Sequence, residues 1–190
     1  MIWLVVILAL GVILAVYAVG IYNQLVALRE NVKVAWANID VLLKQRHDEL
    51  PKLIETCKRY MQYEQETLEK VMRARASVSS ASSTGDVAAV GAAERQLRAG
   101  VSRLFAVAEN YPQLKADDNF RQLQARITTL EESIADRREL YNESVNVNNI
   151  RVSTFPDAVI ARKYGFAPAH LLEFSEPEKR DVDVGVLFGT

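Results

Sequence analysis

The chain has 190 residues, 49% of them hydrophobic and 25% charged, enough for one domain with attachments. Its 23 basic and 24 acidic residues nearly cancel, which excludes the global field that would gather nucleic acid or an anionic surface. The single cysteine, Cys57, excludes an intramolecular disulfide.

The first element in chain order is IWLVVILALGVILAVYAVGIY, Ile2 to Tyr22, which holds no charge and no proline. Twenty-one residues rising about 1.5 Å each cover roughly 31 Å, the thickness of a bilayer core. Trp3 stands at one edge and Tyr17 and Tyr22 near the other, where interfacial aromatics belong. A cleaved signal peptide would need a basic leader and a shorter apolar run, so residues 1–22 are read as a retained membrane anchor. Gly11 and Ala15 form a small-xxx-small step that suits close approach of two membrane helices, a spacing also common by chance. Arg29, Lys33, Lys44 and Arg46 follow the span and none precedes it, which places the body in the cytoplasm and the N-terminus outside. Of these, Arg29 and Lys33 are near enough to meet lipid headgroups.

Residues 23–152 read as an antiparallel helical bundle. Apolar residues recur at 3-4 spacing from Leu25 through Leu42 and on along Leu50, Ile54, Cys57 and Met61, with a slip near residue 64. Pro51 brings no amide for the carbonyl of His47, so a kink or a break is expected there, and because the apolar stripe keeps phase across it a kinked continuous helix is favoured over a full reversal. The fold class is therefore all-α and up-and-down, with three long helices, or four if the first breaks near Pro51. A first helical region running to residue 80 outreaches the later helices. It either folds back at the proline or leaves its N-terminal half as a stalk needing another copy of itself.

Ser77 to Asp86, SVSSASSTGD, is a loop by composition, with Asp86 or Thr84 as the next cap. A second helix spans about 86–109, and a third runs from near Asn119 to about 151. Between them lies a corner, AENYPQLKADDNF. Asn110, Tyr111 and Pro112 stop the second helix, and Asp117 and Asp118 complement the dipole of the third. Asn119 with Gln122 has the spacing of a capping box. Residues 153–174 hold a short helix that starts near Pro156 and ends at Gly165 in a left-handed cap. Residues 175–190 read as a polar tail, mobile or ordered by a partner.

Motifs for chemistry are missing. His47 and His170 form no Glu-x-x-His pair, and no nucleotide, zinc or nucleophile-elbow motif occurs. Glu131 and Glu132 are adjacent on a helix and diverge by about 100°, a poor acid/base pair. Cys57 reads as a small core residue. Catalytic, cofactor and metal residues are thus expected to be none, with no nucleic acid or small-molecule substrate as partner. Arg46, His47, Arg75, Glu94, Arg137 and Asn148 fall on or beside core-facing positions, as interhelical polar contacts or as a polar interior that binds something.

Several stretches in order resemble the LemA family of bacterial membrane proteins. They are NQLVALRENVKVAWANIDVLLKQRHDELPKLIE at 23–55, YMQYEQETLEKVMRAR at 60–75, the corner and following helix at 108–149, and FPDAVIARKYGF at 155–166. The resemblance extends over roughly residues 1 to 174, and the tail beyond Glu176 aligns with nothing. It implies one N-terminal membrane helix, a cytoplasmic four-helix body in the bacterial inner membrane, and no established enzyme activity. That four-helix description favours the folded-back option. Family associations include magnetosome membrane formation and gene neighbourhood with a membrane metalloprotease. The expected function is a homo-oligomer that organises or remodels the membrane. The alternative is an adaptor presenting its C-terminal segment to a membrane-protein partner.

Overall fold

Helix α1 runs from Ile2 to Lys58 without interruption in the computed structural model, which describes residues 1–173. Pro51 lies inside it, two turns before its end. The carbonyl that the proline cannot serve belongs to His47, and Arg75 serves it instead, its Nε–H donating to that oxygen at 2.9 Å. With the orphaned acceptor satisfied, helical geometry carries on for seven more residues. The helix is thus continuous through Pro51, as the in-phase apolar stripe favours, and the chain leaves it only after Lys58, in Arg59–Glu64, where the amides of Tyr60 and Met61 both close on the carbonyl of Cys57. This is the place where the apolar stripe slips. Nor is the first half of α1 a bare stalk. One face is buried at intervals from Ile21 and Leu25 through Ile39 and Leu43 to Leu53 and Cys57.

Helix α2 spans Gln65–Thr84 and α3 spans Val87–Ala108. The expected loop at Ser77–Asp86 is therefore a correction: all but its last two residues are helical. Its serines and threonine behave as helix residues by returning their hydroxyls to carbonyls three or four residues back. Ser77 Oγ donates to Arg73, Ser83 Oγ to Ser80 and Thr84 Oγ1 to Ala81. Small side chains also let α2 and α3 approach closely, with Ser77 and Ala81 facing Ala89 and Ala93 across one shallow cleft. Only Gly85, at φ 69°, and Asp86 connect the two helices. Asp86 caps α3 by accepting from the amides of Ala88 and Ala89.

A single turn, α4 (Pro112–Ala116), precedes α5 (Asp118–Ser153), and α6 (Asp157–Tyr164) closes the helical order. The core of α5 follows a strict seven-residue repeat, Phe120, Ile127, Ile134, Tyr141 and Asn148, joined by Val145 and Val152. Arg137, expected on the core-facing stripe, is exposed because it lies three residues beyond Ile134 on the edge of that repeat. Arg46, Glu94 and Asn148 are buried. Gly165, at φ 72°, gives α6 its left-handed cap.

The chain forms two compact units. One comprises Met1–Arg46 and Arg126–Leu171. Within it Gln24 meets Arg151, and Trp36 stands edge-on to Tyr141 at 5.6 Å, so these parts of α1 and α5 run antiparallel. Ile21, Leu25, Val152, Ala161 and Phe166 share its buried cluster. After α6 the chain is extended, bracketed by Asn149, which both donates to and accepts from the backbone of Ala169, and by Tyr141 donating to the carbonyl of His170.

The other unit comprises His47–Ala125 and the chain from Leu172. Here α2 and α3 pack as an antiparallel hairpin, with Gly100 admitting Val71. Leu172 is fully buried beside Gly91. The tail assigned to residues 175–190 lies outside the described residues.

Candidate functional site

The residues singled out on sequence fall into two separate groups, each within one unit. The first surrounds the end of the apolar run. From Ile2 to Gly20 almost every side chain of α1 is exposed, and at Ile21 exposure drops to 6%. The uncovered run measures about 28 Å along the helix, again the thickness of a bilayer core. By length and composition α1 thus contains a segment apolar enough to cross a membrane. Trp3 is exposed at its start, and a Cβ on Gly11 would meet open space, so the Gly11–Ala15 face touches nothing among the described residues.

Where the covered part begins, α6 and the end of α5 form a collar. Tyr22, still 37% exposed, stands edge-on to Tyr164 at 5.0 Å and to Phe166 at 5.7 Å. The Arg29 guanidinium lies over the Phe166 ring at 5.1 Å. Arg29 and Lys33 both reach Glu30, at 3.5 and 2.8 Å. The Lys33 hydrogen bond, with both positive charges, holds the Glu30 carboxyl below its ordinary value. Asp157, buried at the start of α6, is paired with Arg151 at 2.9 Å. The collar brings Arg151, which meets Gln24, and Lys163, over the Tyr164 ring, to the same stretch of α1 as Arg29 and Lys33. Sequence reasoning found only Arg29 and Lys33. Arg151 and Lys163 stand more than a hundred residues further along, and only antiparallel packing puts them beside α1.

The second group is the corner between α3 and α5. Pro112 occupies the first turn of α4, and Leu114 is fully buried beneath it. Asp117, not Asn119, caps α5. Its carboxylate accepts from the Phe120 amide at 3.1 Å and from the Tyr60 hydroxyl at 3.0 Å. Those two bonds hold Asp117 below the usual carboxylate range, and the same contact raises the Tyr60 phenol. Asp118 pairs with Arg121, Tyr111 is half-buried, and Asn110 closes the end of α3 through its amide to Val107. Each of these residues is occupied in shaping the turn.

A wider cleft of about 1030 Å³ lies by the α1–α2 turn, lined by Ile54, Lys58, Met61, Leu68, Met72 and Arg73. Among the described residues no three His, Cys, Asp or Glu side chains converge as a metal site would require.

An all-α bundle protein whose first helix has the length and apolarity of a membrane span is the class that this fold defines. The sequence model of the LemA family matches residues 35–186, and the chain belongs to that family. The match continues into the tail, beyond the segments that carry the resemblance. Protein LemA of Metamycoplasma hominis is 28% identical over 186 residues, covering 95% of this chain and 81% of that protein. Magnetosome protein MamQ 2 of Paramagnetospirillum magneticum is 32% identical over 73 residues, 38% of this chain and 27% of that protein. Magnetosome protein MamQ of Magnetospirillum gryphiswaldense is 29% identical over 66 residues, 35% of this chain and 24% of that protein. The magnetosome likeness is therefore local.

Proposed function

We propose that this LemA-family protein works without catalysis as a membrane-tethered bundle that self-associates and so organises the bacterial inner membrane. Residues Ile2–Gly20 are the anchor in this reading. The body lies in the cytoplasm, where positive charge at the span's end is retained, as Arg29 and Lys33 supply.

The observation that carries self-association is an uncovered heptad seam. On α1, Val34 and Val41 are 62% and 54% exposed, with Ala27 and Ala37 completing the 7-3-4 steps. This face points away from buried Leu25, Ile39 and Leu43. On α5, Leu140 and Val147 repeat the seven-residue step, also uncovered. Apolar seams of this kind bury themselves against a second helix when one is available. The local likeness to magnetosome proteins supports a role in shaping membranes.

Light scattering on the full chain in mild detergent tests the reading. A defined oligomer at micromolar concentration is the expected result, shifted toward monomer by Val34→Glu with Val41→Glu. A wild-type monomer overturns it.

A second reading, an adaptor presenting its C-terminal segment to a membrane protein, draws support from Leu172. That side chain seats the chain firmly just before a tail that the family match includes. Deleting residues 175–190 then abolishes crosslinking to a partner and leaves the assembly intact.

A further inference from the structure

We propose that the turn between α5 and α6 is a second membrane contact. Thr154, Phe155 and Pro156 enter the leaflet that α1 crosses, and the basic collar meets its anionic headgroups. The inference rests on the anchor reading above and adds a surface to it.

Depth is the first argument. Protein cover on α1 begins at Ile21, yet the turn extends further along the helix than that. A cleft of about 490 Å³ is lined jointly by Tyr17, Gly20 and Gln24 of α1 and by Ile150, Phe155 and Asp157. Tyr17 lies roughly 6 Å nearer the bilayer centre than Ile21. Any placement that immerses Ile2–Gly20 in hydrocarbon therefore brings the turn to the interface, where amphipathic elements bury about 5–10 Å deep.

The chemistry of the turn fits that depth. Phe155 is 82% exposed and Ile150 is 63% exposed, two large apolar side chains left mostly open. Pro156 has no amide to desolvate. The Thr154 hydroxyl donates to the Ile150 carbonyl at 2.7 Å, and the amides of Ala158 and Val159 return to Thr154 and Pro156. Part of the turn's backbone is thus satisfied internally, which lowers the cost of placing it at the interface. Asp157, the carboxylate that follows the turn, is buried and neutralised by Arg151. Arg151 lines the same cleft as the turn, and Lys163 and Arg29 lie over the Tyr164 and Phe166 rings of the collar behind it, basic side chains suited to phosphate headgroups.

The test uses the full chain in vesicles of phosphatidylethanolamine and phosphatidylglycerol, with a nitroxide placed singly by Phe155→Cys, Leu10→Cys or Gln45→Cys. Native Cys57 is fully buried and its thiol is pushed up to about 12, so it does not compete for label. Relaxation by oxygen is compared with relaxation by a water-soluble nickel chelate. The expected result is a several-fold higher oxygen-to-nickel ratio at 10 and at 155 than at 45. A lipid signal at 10 with a water signal at 155 overturns the second contact and leaves the anchor standing. A label at 155 screened from both reagents also overturns it, since protein then covers the turn. A water signal at 10 overturns the anchor and the contact together.

Discussion

The passage of α1 through Pro51 depends on one side chain, and its removal has a calculable consequence. Arg75→Met keeps the aliphatic stem and deletes the Nε–H that serves the His47 carbonyl at 2.9 Å. A partly buried acceptor left without a donor costs about 1–2 kcal/mol, close to tenfold in the folding equilibrium. In a Pro51→Ala background the new alanine amide returns to the same carbonyl, so Arg75→Met there costs little. The four proteins form a double-mutant cycle with an expected coupling of at least about 1 kcal/mol. Chemical unfolding of the full chain in mild detergent, followed by far-ultraviolet circular dichroism, measures it. A coupling near zero refutes the reasoning, because Arg75 would then contribute for reasons unrelated to the missing amide. The His47 imidazole supplies an independent readout. Burial holds it below its ordinary value and the Arg75 charge lowers it further, while Asp48 pulls it up. Arg75→Met should therefore raise the His47 pKa part of the way back, measurable by NMR titration.

The same depressed imidazole sets a pH dependence. The unfolded chain binds the His47 proton first, so its contribution to stability is complete above about pH 6.5 and is lost as pH falls below that value. His47→Gln should flatten the melting temperature profile between about pH 7 and pH 5, and an unchanged slope removes His47 as the cause. Gly91→Ala places a Cβ 2.6 Å from the Glu173 carbonyl oxygen and 3.5 Å from the Leu172 side chain. The gain of about 1 kcal/mol in helix propensity is outweighed by loosening Leu172, whose full burial is worth about 2–3 kcal/mol. A net loss near 1–2 kcal/mol and faster proteolysis after Leu172 are expected, and a more stable variant contradicts the close approach. At the corner, Asp117→Ala should lower the unfolding midpoint more than Tyr60→Phe, since it deletes the cap and the tyrosine's acceptor together. Asp117's contribution is present above its unfolded value of 3.8 and disappears as pH falls through the lower folded value. Equal midpoints for wild type and Asp117→Ala deprive the corner of its cap.

Much of the helical order was legible because it rests on periodicity and local chemistry. The apolar run of α1, the strict stripe of α3, the Asp86 cap and the Gly165 terminator all act within a few residues. Misreadings arose where distant residues intervene. Composition alone makes SVSSASST a loop, but a neighbouring face of small residues makes it a helix. At Pro51 the unbroken stripe rightly favoured continuity over a reversal, but only the structure shows that a guanidinium from α2 serves the orphaned carbonyl. Asn119 and Gln122 have the right spacing for a cap, yet Asp117 takes the role because Tyr60 anchors its second oxygen.

The sequence by itself determined an apolar run long enough to cross a membrane, the all-α class and the family, because hydrophobic length, helical period and motif order are properties of the chain taken locally. Tertiary structure alone decided where the apolar run loses its uncovered status, which basic residues gather at its end, and that Phe155 stands bare beside Tyr17. Those facts depend on antiparallel packing of segments more than a hundred residues apart, and no local pattern records which distant side chains will meet.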